Sequence, residues 1–231
     1  MRALLYGVSA QRPTHSLFLA GQELPLEARM GGIFLGFLSA VGLLAVLGRL
    51  RARRLPPGAL ALGCSALVLL TALDGLNAFL FDGQLPHAYP PSTAARLLTG
   101  LGAGLGLGLL AVPVVAGVVW RRPIDQPSVE DFVELLIALA VVGVIGAILL
   151  IGPAPLLWPA AVLMLLSVVV AFGLANLYIL TLGGGRLNQA STVSDLAGPL
   201  VSALGLALLE LAGLSALRTW LAMTLNLTWG F

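Results

Sequence analysis

Long apolar stretches separated by short polar segments make up most of the chain. Six of them come close to or exceed the roughly 20 residues that an α-helix needs to cross a bilayer. They cover residues 31–48, 58–81, 94–119, 129–151, 157–182 and 196–217. None shows the period-2 alternation of a strand, and an open sheet edge cannot satisfy its hydrogen bonds in lipid. The pattern therefore predicts an all-α bundle of six transmembrane helices.

The predicted helices divide the chain into three parts. Residues 1–30 form an outer N-terminal segment, and residues 31–217 form the six-helix transmembrane bundle. Residues 218–231 are apolar but too short to cross a bilayer. We expect this tail to lie along the outer interface or against a neighbouring protein.

The distribution of arginine predicts the orientation of the bundle. Seven arginines lie in the three connecting segments that reach one side, and five lie on the other side. The richer set comprises Arg49, Arg51, Arg53, Arg54, Arg121, Arg122 and Arg186. The positive-inside rule assigns that side to the cytoplasm, so both termini are expected on the outer side.

Composition agrees with lipid as the main solvent. Of the 231 residues, 59% are hydrophobic and only 10% are charged, whereas a soluble domain has roughly 25% charged residues. The net charge of +2 provides no basic face for nucleic acid. All 12 basic residues are arginine, which excludes Schiff-base lysine chemistry. Cys64 is the single cysteine, so the chain has no intramolecular disulfide and no CxxC motif.

Glycines recur on the third predicted helix at spacings typical of close helix contacts. Gly100, Gly104 and Gly108 follow at steps of four and form one stripe. Gly102 and Gly106 fall on nearly the opposite side, because two residues turn an α-helix by about 200°. Helix association in lipid depends on close backbone approach. We therefore expect this helix at the centre of the bundle, packed on two sides.

Matching grooves are predicted on the first and sixth helices. Gly32 and Gly36 provide small residues on the first helix, and Gly198, Ser202 and Gly205 provide them on the sixth. Such grooves bring helices together and could also hold a bound lipid or pigment. The sequence predicts no other cofactor.

Charged and polar residues near the predicted outer ends of the helices form a candidate cluster. Charges inside a span are costly and are usually paired or functional. Asp74, with Asn77 one turn further on, is expected to pair with Arg96 or Arg29. We interpret these four residues as a clamp between the first three helices. The alternative is a proton or ligand site open to the outside.

Two further polar residues lie within the last two predicted helices. Glu210 is expected to extend towards the outer surface or to meet an arginine, with a protonatable site as the alternative. Asn176 is expected to form a hydrogen bond between helices.

Other candidate chemistry is sparse. His15 and His87, the only histidines, lie in outer segments and could join Asp82 as metal ligands. Nothing in their spacing fixes them together, so we interpret them as solvated loop histidines and predict no metal site. No nucleophile–base arrangement is visible, and the carboxylates at helical spacing, Glu130, Asp131 and Glu134, lie at the start of the fourth helix, where they suit the positive end of its dipole. The sequence therefore predicts no enzyme.

Several separated elements in the first part of the chain resemble a known family. Residues 9–16 read Ser-Ala-Gln-Arg-Pro-Thr-His-Ser, and residues 24–37 read Leu-Pro-Leu-Glu-Ala-Arg-Met-Gly-Gly-Ile-Phe-Leu-Gly-Phe. Asp74-Gly75 and the run Arg-Leu-Leu-Thr-Gly at residues 96–100 follow in order. Over about the first 110 residues, the chain resembles DUF2085, an uncharacterised prokaryotic membrane family. The resemblance implies a multi-pass protein of the inner (plasma) membrane.

The chain departs from that family at its most reactive positions. The family opening reads approximately Cys-His-Gln-x-Pro-x-Arg-Ser, and a Cys-x-x-Cys element follows. These groups would suit a thiol-redox or metal site on the outer side. Here the corresponding positions hold Ser9, Ala10, Glu27 and Met30. A site that needs thiolates cannot be assembled from these side chains.

The sequence leaves two functions open. The first is a non-catalytic membrane subunit or scaffold that packs against other membrane proteins in a larger complex. The alternative is a small transporter or channel with acidic sites inside the membrane, in which Asp74, Asn176 or Glu210 would face a water-filled cavity. Both functions imply contact with the lipid bilayer.

Overall fold

The computed structural model describes residues 1–185 and 187–225 as helices joined by short strands and turns. The helices are α1 (Arg2–Leu5), α2 (Ala28–Val46), α3 (Gly58–Asp82), α4 (Thr93–Val119), α5 (Phe132–Ile151), α6 (Leu157–Gly183) and α7 (Ala197–Thr224). The strands are β1 (Ser16–Leu19), β2 (Gln22–Glu27), β3 (Ala52–Arg54) and β4 (Ile124–Pro127). Helices α2 to α7 are long and apolar enough to cross a membrane. The predicted six-helix, all-α architecture is thus confirmed, whereas the side on which the termini lie stays a prediction.

The central helix α4 packs against α2 through glycine. A Cβ atom on Gly100 would lie 2.5 Å from the carbonyl oxygen of Arg29, and one on Gly104 would overlap the carbonyl oxygen of Ile33. The two backbones therefore touch directly, as close helix association in lipid requires. Residue numbers increase in the same direction along the two helices at these contacts, so α2 and α4 run parallel.

The facing glycines of α2 and the last glycine of the α4 stripe make the same kind of contact. A Cβ on Gly32 would lie 2.6 Å from the carbonyl oxygen of Leu97, and one on Gly36 would overlap a carbonyl oxygen of α4. A Cβ on Gly108 would lie 2.5 Å from the Cβ of Ala40. Any side chain larger than hydrogen would force these two helices apart.

The opposite side of α4 packs against α3. A Cβ on Gly106 would lie 2.5 Å from the carbonyl oxygen of Cys64, and one on Gly102 would lie 3.3 Å from the side chain of Leu67. Here the residue numbers run in opposite directions, so α3 and α4 are antiparallel. Helix α4 is consequently held on two sides.

The expected packing role of Gly198 is wrong within the part of the chain that the structure describes. A Cβ on Gly198 or Gly205 would meet no described atom within 4 Å. Helix α7 packs mainly against α6, and it buries the side that carries Ala203, Ala207 and Leu211. Spacing identified the small residues of α7 but could not determine which side of the helix faces the bundle.

The N-terminal segment contains a β-hairpin, which the pattern of long apolar stretches did not predict. Strands β1 and β2 pair in antiparallel fashion around a turn in which Gly21 has φ +73°. Leu17 and Leu19 on β1, and Leu24 and Leu26 on β2, are buried. The strands are too short for a hydropathy window, but they bury their apolar side chains against the helix ends.

Helix α7 continues to Thr224, so residues 218–224 of the segment predicted as an interfacial tail (218–231) are helical. The position of the tail at the membrane interface stays a prediction. The C-terminal part of α7 is fixed to the N-terminal segment. Arg218 donates hydrogen bonds of 2.5 Å to the carbonyl oxygens of Tyr6 and Ser9, and the hydroxyl of Ser215 donates to the carbonyl oxygen of Leu4 at 2.8 Å. Residues 226–231 of the predicted tail lie outside the described residues.

A second polar network lies at the opposite end of the bundle. Arg49 contacts Glu134 at 2.6 Å and Glu130 at 3.1 Å. The hydrogen bond that Arg49 donates to Glu134 is the main cause that raises the pKa of Arg49. Helix α5 begins three residues later than predicted because Asp131 is its N-cap and accepts from the amide of Glu134 at 2.9 Å.

Candidate functional site

Asp74 in α3 is the most deeply buried acidic side chain at the helix ends nearest the N-terminal segment, with 2% of its surface exposed. Arg29, in the first turn of α2, donates to one carboxylate oxygen at 2.5 Å. The hydroxyl of Tyr89 donates to the other at 2.7 Å, and this hydrogen bond raises the pKa of Tyr89. Of the two arginines expected as partners, Arg29 is the one that forms the pair.

Asn77 orders the segment that connects α3 to α4. Its side-chain oxygen accepts from the amides of Ala88 at 2.8 Å and Tyr89 at 3.3 Å, and its nitrogen donates to the carbonyl oxygen of Tyr89 at 2.9 Å. These bonds hold the tyrosine whose hydroxyl reaches Asp74. The predicted cluster is thus partly a structural connection between helices and loop.

A pocket of about 140 Å³ lies where the N-terminal segment meets the ends of α2, α3 and α4. Its polar lining consists of Arg12, His15, Glu27, Arg29, Asp82 and Arg96. Gly75, Ala78 and Phe79 of α3 provide an apolar wall. The pocket therefore combines six ionisable side chains with one apolar wall.

Two acids in the pocket contact the N-terminal segment. Glu27 accepts from the backbone amide of Arg12 at 2.9 Å and from its Nε at 3.2 Å. Asp82 lies farther away, at 3.9 Å from Arg12 and 3.8 Å from His15. Glu27 is therefore firmly paired, while Asp82 at the rim makes one loose ion pair with Arg12 and lies near His15.

Arg96 differs from the other arginines of the pocket. Only 6% of its surface is exposed, and its Nε has no hydrogen-bond partner among the described residues. No described carboxylate lies within ion-pair distance of it; the eight ion pairs found there involve other residues. Arg96 also lies in the first turn of α4, where the helix dipole is positive. Burial, the lack of a nearby described carboxylate and the positive end of the helix dipole thus all disfavour the positive charge of Arg96.

The same surroundings lower the pKa of His15. Burial is the main cause that lowers the pKa of His15, and the positive charges of Arg96 and Arg12 lower it further. Glu27 and Asp82 act in the opposite direction with smaller effect. The imidazole therefore stays neutral to lower pH than an exposed histidine and can both donate and accept a hydrogen bond. This partly buried position differs from the solvated loop expected for His15.

Comparison with known families adds one finding to this geometry. The model of DUF2085, described as a predicted membrane protein, matches residues 9–110. The resemblance seen in the sequence is therefore confirmed over these residues. The DUF2085 region comprises the hairpin, α2, α3 and about two thirds of α4, and it contains every polar residue of the pocket. No curated protein and no solved structure matches the chain.

Two of the positions at which the sequence departs from the family opening, Ser9 and Glu27, lie together. The hydroxyl of Ser9 accepts a hydrogen bond from the backbone amide of Glu27 at 3.1 Å. Glu27 in turn lines the pocket. In this chain, a hydroxyl and a paired carboxylate thus lie where the resemblance implied thiols.

The other predicted polar residues form a separate contact between α6 and α7. Asn176 donates to a carboxylate oxygen of Glu210 at 2.8 Å and to the carbonyl oxygen of Ala203 at 3.4 Å. The expectation that Glu210 extends outward or meets an arginine is wrong for the described residues. Arg218, two turns further along α7, instead bonds to carbonyl groups of the N-terminal segment.

His87 lies apart from the pocket. Its ring packs edge-on against Phe81, with ring centres 4.9 Å apart, and its Nδ1 lies 3.0 Å from the carbonyl oxygen of Leu85. Within residues 1–185 and 187–225, no group of three or more His, Cys, Asp or Glu side chains is arranged to hold a metal ion. The two histidines are therefore in different surroundings.

The sequence pattern placed Arg29 and Arg96 together, and it raised His15 and Asp82 only as candidate metal ligands, so the pocket as a whole was not predicted. Arg12, His15 and Glu27 reach the helix ends because the hairpin folds back over them, and that hairpin was not predicted. A usable signal was the alternation of leucine with other residues on both sides of Ala20-Gly21.

Proposed function

We propose that this multi-pass membrane protein is a non-catalytic subunit of a larger membrane complex, and that α7 contacts a transmembrane helix of a partner protein. The observation that supports this role is the side of α7 that faces away from α6. In the described structure no helix covers this side, and six small residues lie along it around the exposed Leu209.

The uncovered side of α7 has the composition of a helix interface. Its small residues are exposed: Gly198, Ser202, Gly205, Ala212, Gly213 and Ala216. We call these six residues the α7 stripe. A stripe of this kind allows another backbone to approach closely, which is the main source of helix association in lipid.

Other uncovered helix surfaces in the molecule have a different composition. The exposed side chains of α3 include Leu62, Leu69, Leu73, Leu76 and Phe79, and those of α5 are mostly valine, isoleucine and leucine. Bulky side chains of this kind suit contact with lipid chains. The contrast favours a protein neighbour at α7 and lipid at α3 and α5.

The surroundings of the acidic residues support a structural role more than transport. Both oxygens of Asp74 accept hydrogen bonds from side chains, and Glu210 accepts one from Asn176. A transporter of the kind considered from the sequence would need at least one of these groups to face water.

Site-specific photocrosslinking in native membranes tests the proposal. A diazirine amino acid is placed at Leu209, which lies among the residues of the α7 stripe and is 71% exposed, or at Leu69 of α3, which is 59% exposed. We expect a protein adduct from position 209 and only lipid adducts from position 69. Mass analysis of the adduct identifies the partner.

A matched pair of variants then tests the stripe itself. Gly205→Leu should reduce the amount of co-purifying partner at least fivefold and leave the thermal stability of the isolated protein unchanged, because a Cβ there meets no described atom. Gly143→Leu on α5, where a Cβ also meets no described atom, is the control. Adducts with lipid alone at position 209, or only with a second copy of this chain, would contradict the proposed heteromeric complex.

A further inference from the structure

We propose that the pocket between the N-terminal segment and the ends of α2, α3 and α4 binds a phosphate group, with the guanidinium of Arg96 as its main contact. The α7 stripe contributes no residue to this pocket, so a failure of one proposal would not contradict the other.

The unpaired state of Arg96 is the first observation. The residue lines the pocket, is more than nine-tenths buried, and has an Nε without a hydrogen-bond partner among the described residues. Buried charges are normally paired, because an unpaired one loses its hydration without compensation. An anion in the adjoining pocket would supply the missing partner.

The direction of the helices is the second observation. Because α2 and α4 are parallel, both begin at the pocket, and their dipoles place partial positive charge there. Each also carries an arginine in its first turn, Arg29 on α2 and Arg96 on α4. Helix N-termini favour anions, and arginines at two of them increase that preference.

The acids already present are engaged elsewhere. Glu27 pairs with Arg12, and Asp74 pairs with Arg29. Asp82 remains, but it is exposed at the rim and lies 3.8 Å or more from its nearest partners. None of these three acids forms an ion pair with Arg96, so the charge of Arg96 has no carboxylate partner in direct contact among the described residues.

The arrangement of donors suits phosphate. Arg96 reaches the pocket from α4, Arg29 from α2 with a second unpartnered Nε, and His15 from the N-terminal segment. A phosphate group offers several oxygens to donors from different directions, and guanidinium groups bind it through paired hydrogen bonds. The volume of about 140 Å³ is well below the roughly 300–1,000 Å³ of pockets that enclose whole organic ligands. The site therefore fits the phosphate and not a large molecule attached to it.

The apolar wall provides a route for a lipid headgroup. Phe79 lines the pocket and is 69% exposed on α3. One side of the pocket thus adjoins a surface suited to lipid, while Asp82 lies at an exposed rim. The same phosphate chemistry could therefore come from a phospholipid or from free phosphate, and the experiment separates the two sources.

The test uses the purified full-length protein in a non-ionic detergent. Thermal unfolding is followed with inorganic phosphate against chloride at equal ionic strength. Native mass spectrometry measures binding of phosphatidylglycerol against a glucosyl-diacylglycerol with the same acyl chains and no phosphate. Wild type, Arg96→Gln and Arg96→Lys are compared with Arg2→Gln, which removes an arginine that does not line the pocket.

We expect wild type to bind at least one of the two phosphate compounds, and Arg96→Gln to weaken that binding at least tenfold. Arg96→Lys should retain part of it, because the charge remains and the paired hydrogen bonds do not. Arg2→Gln should bind like wild type. Binding of phosphatidylglycerol without inorganic phosphate identifies the lipid headgroup as the source, and binding of inorganic phosphate alone identifies the free ion.

Two results would overturn the proposal. One is that wild type binds neither phosphate compound more tightly than its control. The other is that phosphate binding by a folded Arg96 variant equals that of Arg2→Gln. If Arg96→Gln does not give a single species on size-exclusion chromatography, the comparison rests on Arg96→Lys.

Discussion

The helices α2, α3 and α4 are packed in a different way from α6 and α7, although both groups contain glycine. Gly36 and Gly104 bring the backbones of α2 and α4 into contact, and Gly106 does the same between α4 and α3. Gly198 and Gly205 meet nothing in the described structure. The first group lies largely within the DUF2085 match, which ends at residue 110, and the second lies outside it. Glycine on a helix therefore permits close contact, but the opposing surface decides whether that contact forms within the chain.

Enlarging a glycine should give the largest difference between the two groups. A leucine at Gly104 would overlap the backbone of α2 at Ile33, so we expect Gly104→Leu to lose more than about 3 kcal/mol and not to fold into a single species. Gly205→Leu should change stability by less than about 0.5 kcal/mol. Size-exclusion chromatography and unfolding in a denaturing detergent check both. Equal losses at the two positions would show that the contrast in packing is not real.

Breaking the buried ion pair should have the next largest effect. Asp74→Asn leaves the charge of Arg29 without its partner and should cost about 3 kcal/mol. The double variant Arg29→Gln/Asp74→Asn should lose clearly less than the sum of the two single variants, because neither charge remains. The same unfolding assay measures this coupling. Strict additivity would mean that the two side chains do not stabilise each other.

The polar contact between α6 and α7 should matter less. Asn176→Leu removes the hydrogen bond to Glu210 and should cost about 0.5–1.5 kcal/mol, in the range of interhelical hydrogen bonds in membranes. Glu210→Gln retains an acceptor oxygen and should cost less. A loss as large as that of Asp74→Asn would show that both groups of helices depend equally on polar pairs.

The smallest effect should come from pH. The pKa of His15 lies below its ordinary value of 6.5 in the folded protein, so below that pH the unfolded chain binds more protons than the folded one. Its contribution to stability is complete above pH 6.5 and is lost as the pH falls through the folded-state pKa. Burial is the main cause of the lowered pKa, Arg96 and Arg12 lower it further, and Glu27 and Asp82 oppose the shift. Thermal unfolding from pH 8 to 5 should show the loss in wild type and a smaller one in His15→Gln; identical profiles would contradict it.

The sequence was sufficient to predict the six helices and the interface between α2 and α4. Both follow from local rules, since about 20 apolar residues span a bilayer and glycines at steps of four lie on one side of a helix. The pairing of Asp74 with an arginine also followed, because a buried charge needs a partner. The sequence did not decide between Arg29 and Arg96, since both begin helices at the same end of the bundle.

The errors have a common cause, which is that they depend on contacts between distant parts of the chain. The side of α7 that carries Gly198 could not be assigned to an interior or an exterior position from spacing alone. Glu210 meets Asn176 instead of an arginine because Arg218 is engaged by the N-terminal segment. The pocket depends on a hairpin whose strands have four and six residues. Such strands are too short to give a distinct signal beside long apolar helices.

The link between α7 and the N-terminal segment has a consequence for the order in which the molecule can be completed. The carbonyl groups of Leu4 and Tyr6 bond to Ser215 and Arg218, which follow them by 211 and 212 residues. These contacts can therefore form only after α7 has been made, and the N-terminal segment waits for them while all the other helices are synthesised.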